Sequence, residues 1–237
     1  MRNKYRLLLL LITSGIFVIL ACSHDPIPGP TVEIPVPPAP CDPDTVYFAN
    51  YIQPLLTSHC AIPGCHDSQT PAVNIDLSDY KGIMSSKVQG KPIVIPGDPL
   101  KSDLYRVTKA LDLIPMPPLY NYALKNAQKE LIRLWILQGA KNNICTEDCP
   151  DPDTVSFSEH ILPIIDLYCT GCHYGDYAFK GIELQYHFQI AEQALNDTLY
   201  YVLTGKQGVA LMPPDVPLPQ CKIDLVKRWI DDGAPKN

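Results

Sequence analysis

The sequence predicts a mainly α-helical protein built from two small helical domains in tandem, with long proline-rich loops. Three observations lead there. Apolar residues recur at helical spacing in several short stretches, and the order of those stretches runs twice along the chain. The 25 prolines among 237 residues leave little room for long helices or sheet interiors.

The opening residues read as an export leader. Arg2, Lys4 and Arg6 form a basic n-region, and residues 7–20 form an apolar stretch too short for a comfortable membrane span. The stretch ends Val18-Ile19-Leu20-Ala21-Cys22, which resembles a bacterial lipobox. Residues 1–21 are therefore expected to be a lipoprotein signal peptide and Cys22 the lipidated N-terminus; the alternatives are an ordinary cleaved signal or an uncleaved anchor. In each case the chain is exported, to the periplasm or the cell surface, where disulfides persist. Removing the three leader cations leaves 16 Lys and Arg against 25 Asp and Glu, an acidity that argues against nucleic acid. It fits a basic protein partner, or more plainly a solvated surface.

Residues 22–43 hold Pro26, Pro28, Pro30, Pro35, Pro37, Pro38, Pro40 and Pro43, and are expected to form an extended, fairly stiff tether. After the tether come the two copies, residues 44–142 and 151–237, with the boundary near residues 142–147. Cys41-Asp42-Pro43-Asp44-Thr45-Val46 is echoed by Asp151-Pro152-Asp153-Thr154-Val155 just after Cys149. An amphipathic segment follows in each copy, with Phe48, Ile52, Leu55 and Leu56 matched by Phe157, Ile161, Ile164 and Ile165. Pro54 and Pro163 stand at matching places, so each helix is expected to be kinked or split there. Further on, Asp76-Leu77-Ser78-Asp79-Tyr80-Lys81-Gly82 has a weaker counterpart in Ile182-Glu183-Leu184. Helical stretches are expected over residues 102–109 and 191–203. Ile114-Pro115-Met116-Pro117-Pro118 then matches Ala210-Leu211-Met212-Pro213-Pro214. Each copy closes with an amphipathic helix, over residues 126–138 and 221–232, with Trp135 and Trp229 on the apolar faces. Gly139-Ala140 and Gly233-Ala234 mark the helix ends.

The chemistry is expected at Cys169-Thr170-Gly171-Cys172-His173. Two thiols on one turn followed by histidine is the pattern of a c-type haem attachment site, with His173 as an axial ligand. Cys60-Ala61-Ile62-Pro63-Gly64-Cys65-His66 is a looser copy, widened by two residues. Each haem iron needs a sixth ligand, and Met116 and Met212 stand at equivalent places before Pro-Pro, where rigid prolines would hold the thioether with little freedom to lose. Met84 has no counterpart and is expected to be a packing residue. Of the nine cysteines, Cys41, Cys145, Cys149 and Cys221 remain, an even number that suggests two disulfides with three possible connectivities. Because Cys41 and Cys145 bracket the first copy and Cys149 and Cys221 lie in the second, Cys41–Cys145 and Cys149–Cys221 are favoured.

The competing readings are specific. Cys149, Cys169, Cys172 and His173 could hold zinc, and Cys60 could be bonded to Cys65 in a copy without cofactor. His24, His59, His160 and His187 have no evident partner and are taken as surface or packing residues. The order of helix, Cys-x-x-Cys-His, Pro96-Gly97-Asp98-Pro99, Ser102-Asp103-Leu104-Tyr105, Met-Pro-Pro and terminal helix with Trp-Ile resembles class I cytochrome c domains. It is most similar to the planctomycete-type cytochrome c modules of exported bacterial proteins. The resemblance covers both copies, although the second lacks Pro-Gly-Asp-Pro and the first has the widened motif. It implies two cytochrome c-like domains, with His66 and His173 as proximal ligands and Met116 and Met212 as distal ones. The expected function is that of a membrane-anchored dihaem c-type cytochrome carrying electrons by outer-sphere transfer between redox proteins. A peroxidase-like haem enzyme, an accessory subunit of a dehydrogenase and a disulfide-stapled binding module are the alternatives.

Overall fold

Prolines and turn residues cut this chain into short helices, and the computed structural model shows how those helices are arranged. It describes residues 41–111, 113–118, 124–146 and 149–237. The expected leader, the expected lipidation site Cys22, His24 and the expected tether as far as residue 40 lie outside the described residues. The rest belongs to one compact unit, and it is mainly α-helical. In order it comprises α1 (Gln53–His59), α2 (Tyr80–Ser85), a hairpin of β1 (Lys87–Val88) and β2 (Lys91–Pro92), α3 (Asp103–Thr108), α4 (Asn126–Leu137), α5 (Leu162–Tyr168), α6 (His187–Leu195), α7 (Thr198–Thr204) and α8 (Gln220–Asp231). Among the described residues no helix is long and apolar enough to cross a membrane.

Local chemistry explains where the elements begin and end. A π-helical turn, Phe48–Ile52, runs into α1, and another, Phe157–Ile161, runs into α5. In both cases proline occupies the first turn of the α-helix, where its missing N–H costs nothing. α2, which the sequence analysis did not assign, starts at Asp79, whose carboxylate accepts from Gly82 N at 2.6 Å as an N-cap. The helix expected over residues 191–203 is instead two. It begins earlier, at His187, and breaks at Asn196 and Asp197, where Asp197 adopts a left-handed conformation (φ 64°) and Asn196 Oδ1 accepts from Thr198 N. Asparagine and aspartate tolerate that backbone because their side chains bond the neighbouring amides.

Two apolar clusters form, one over residues 46–140 and one over residues 155–234, and Leu167 packs against both. Each is centred on a fully buried tryptophan of the closing helix, Trp135 or Trp229. Full burial of such a ring is worth on the order of 3 kcal/mol. Phe48 lies 5.6 Å from Trp135 and Phe157 lies 5.7 Å from Trp229, ring centre to ring centre. The indole nitrogens donate to Lys141 O and Pro235 O. Asparagine closes each half: Asn143 Oδ1 accepts from Phe48 N and Asn237 Oδ1 from Phe157 N. Met84 packs at the edge of the first core.

Cys41 is bonded to Cys145 and Cys149 to Cys221. Where the halves meet, α1 packs on α5. Lys125 pairs with Asp166 at 2.6 Å, Gln128 Nε2 donates to Asp166 O, and Ser58 Oγ donates to Leu167 O at 2.9 Å.

Candidate cofactor-binding site

The second motif is a tight turn laid on the end of α5. Cys169 N and Thr170 N both donate to Ile165 O, then Cys172 N and His173 N both donate back to Cys169 O, at 3.1 and 3.0 Å. The segment that follows is tied to the turn, with Phe179 N donating to Cys172 O and Leu184 N to His173 O, both at 2.8 Å. This leaves His173 Nδ1 2.9 Å from Ile182 O. A carbonyl can only accept, so Nδ1 carries the proton and Nε2 keeps its lone pair free for a metal. Burial lowers the His173 pKa below the ordinary histidine value, opposed by the bond to Ile182, so the ring is neutral at pH 7.

Met212 approaches from α7, its amide donating to Val202 O at 2.8 Å. Cys169, Cys172, His173 and Met212 all line one cavity of about 380 Å³ whose other walls include the aliphatic side chains of Ile182, Leu184, Leu199 and Leu203. That size and apolar lining, with a few polar groups converging, are those of a small-molecule or cofactor site.

In the first half the backbone follows the same plan despite the wider spacing. Cys60 N and Ala61 N donate to Leu56 O, His66 N donates to Cys60 O at 3.1 Å, and Leu77 N donates to His66 O at 2.9 Å. His66 Nδ1 faces Ile75 O at 3.1 Å, so its Nε2 is likewise free. Met116 N donates to Val107 O at 3.1 Å, as Met212 N does to Val202 O. Both Met–Pro peptides, Met116–Pro117 and Met212–Pro213, are cis. Neither His66 nor Met116 lines the cavity of the second half.

Two other chemistries for these cysteines find no support in the geometry. Cys60, Cys65, Cys169 and Cys172 are all free thiols, so Cys60 is not bonded to Cys65. Burial pushes both Cys60 and Cys169 up to about 12, so in the metal-free chain both are neutral thiols rather than activated nucleophiles. Cys149, needed by the zinc alternative, is bonded to Cys221, and among the described residues no group of three or more His, Cys, Asp or Glu is arranged to hold a metal ion.

The remaining histidines are accounted for. His160 Nδ1 accepts from Ser156 N within its own turn. His187 packs edge-on against Phe157 and bonds Ala234 O, the place that Tyr80 fills in the first half by packing on Phe48 and donating to Ala140 O. His59 is buried where the halves meet. Two features were missed from sequence. The carbonyls of Ile75 and Ile182 orient the histidines, each nine residues downstream, and aligning the two copies at that offset would have paired them. The second cavity is also lined by Pro54, Thr57, Ser58, Ile62 and Pro63 of the first half, for which no local signal exists. No protein-family model, curated protein or solved structure matches this chain.

Proposed function

We propose that this protein is an exported, membrane-anchored dihaem c-type cytochrome, two cytochrome c-like domains in tandem, that carries electrons between redox protein partners. The observation that carries this reading is the convergence of Cys169, Cys172, His173 and Met212 on one apolar cavity, with the free Nε2 of His173 fixed by its Nδ1 bond to Ile182. These residues fit a c-type haem. Cys169 and Cys172 would hold the haem covalently, and His173 Nε2 and the Met212 thioether would be the ligands of its iron. Bound there, the haem supplies one-electron exchange between ferric and ferrous iron. Aliphatic walls would limit water at the group, and with both His173 and Met212 as ligands no position would be left for a substrate, which favours transfer over turnover. Cys60, Cys65, His66 and Met116 are the matching set in the first half, supported by the shared backbone bonds.

Haem stoichiometry tests the proposal: the reduced pyridine haemochrome spectrum and the intact mass of the denatured chain, after expression with haem-maturation machinery. Two covalent haems are expected. A single haem removed by Cys169→Ala/Cys172→Ala would restrict the function to the second half, and a colourless protein would overturn it.

A further inference from the structure

The cavity that gathers Cys169, Cys172, His173 and Met212 is not closed by its own half. Pro54, Thr57 and Ser58 of α1 and Ile62 and Pro63 of the first cysteine motif form part of its wall. Ile62 and Pro63 belong to the stretch that makes this motif two residues longer than its partner. The longer loop still brings its histidine back to its first cysteine, because His66 N donates to Cys60 O just as His173 N donates to Cys169 O, although Cys65 N donates to Ile62 O where Cys172 N donates to Cys169 O. Its extra length is therefore not needed to join its own ends; it reaches the neighbouring cavity.

The contact beneath the loop is close. Cys172 Sγ lies 3.7 Å from Ser58 O, and a Cβ built on Gly171 would stand 2.0 Å from the same oxygen. Only glycine lets the second motif approach the end of α1 this closely. Ser58 Oγ, donating to Leu167 O, holds that end of α1 in place.

We propose that the two-residue expansion of the first motif is a wall of the second cofactor site, and that Ile62 controls the exposure of that site to water and hence its redox potential. The proposal rests on haem occupying the second site. Apolar walls lower the local dielectric and disfavour the more highly charged oxidised form, so the potential rises with enclosure. A hydroxyl in place of the Ile62 side chain admits water at the cavity edge and lowers it. The two halves are then one redox unit, in which the first tunes the second.

The test is a spectropotentiometric titration of the full haem-loaded chain and of its Ile62→Ser variant. The second site's wave is identified as the one displaced by Met212→His. Ile62→Ser is expected to lower the second potential by on the order of tenfold in the reduction equilibrium constant, about 59 mV for one electron. Deleting Ile62 and Pro63, which restores a Cys-x-x-Cys-His spacing, is expected to shift it in the same direction. Leu100→Ser, at an exposed position outside the cavity wall, should move neither wave. A second-site potential unchanged by Ile62→Ser, with haem content intact, overturns the wall while leaving the electron-carrier function standing. A shift confined to the first site overturns it equally, and a chain without haem overturns both.

Discussion

His59 is a histidine whose surroundings decide its charge. Its Nδ1 lies 2.7 Å from Ser58 Oγ and 3.2 Å from Leu55 O, while Gln128 Nε2 approaches its Nε2 at 3.4 Å. Ser58 uses its own proton on Leu167 O, so His59 donates through Nδ1 and accepts at Nε2 as a neutral ring. A second ring proton would face the amide hydrogens of Gln128. Burial, aided by the charge of Lys125, lowers its pKa to about 4. An unfolded histidine protonates near 6.5, so the stability this group provides is fully present above about pH 6.5 and is lost as pH falls through about 4. Below that the loss reaches on the order of 3 kcal/mol. His59→Gln is expected to flatten the pH dependence of chemical denaturation over that window, and an unaltered slope would show that His59 does not carry it.

At the scale of elements, the closing helices owe their position to tryptophan and to cystine. α8 buries Trp229, and its first turn carries Cys221, bonded to Cys149 at the start of the second half. The bond closes a loop with a sequence separation of 72, for which chain entropy in the unfolded state alone predicts about 4 kcal/mol of stabilisation. Cys149→Ser/Cys221→Ser should therefore lower the free energy of unfolding by about 2–5 kcal/mol while Cys41–Cys145 remains formed. Intact mass under non-reducing conditions with a denaturant titration checks both statements. Between these helices the repeat is looser. Ser102, wholly buried, accepts from Ile95 N and donates to Asp98 O, fixing the Pro96-Gly97-Asp98-Pro99 turn that only the first half has. In the second half α6 runs into α7 after only Asn196 and Asp197, with no such turn between them.

At the scale of the whole molecule, two cores are held together by α1 on α5 and by Lys125 and Gln128 on Asp166, and Gly171 is a point of close backbone approach in that contact. Gly171→Ala leaves the cysteine spacing intact but drives a methyl group into the Ser58 carbonyl. The halves must separate to relieve it, at about 1–3 kcal/mol. Calorimetry should show one cooperative transition for the parent chain and a lower, broadened or split transition for the variant. An unchanged single transition would mean that the contact does not couple the halves.

Periodicity and turn residues were enough to reveal the helical class and the buried tryptophans, because each is a local pattern; parity gave only the number of disulfides among Cys41, Cys145, Cys149 and Cys221, and their places along the chain favoured the pairing found. Phe48 and Trp135 could be read as core from spacing on their own helices. The break at Asn196 was also written locally, and was missed because the apolar period continues through it. What tertiary structure alone decided lies between residues far apart in the chain. That Tyr80 and His187 do the same work, that His59 is neutral, and that Ile62 lines the cavity of Cys172 all depend on surfaces meeting across thirty residues or more. Hydrophobic spacing specifies which face of a helix is buried but not against what. The docking of α1 on α5 follows from shape and backbone approach at Ser58 and Gly171, and neither leaves a periodic trace in the sequence.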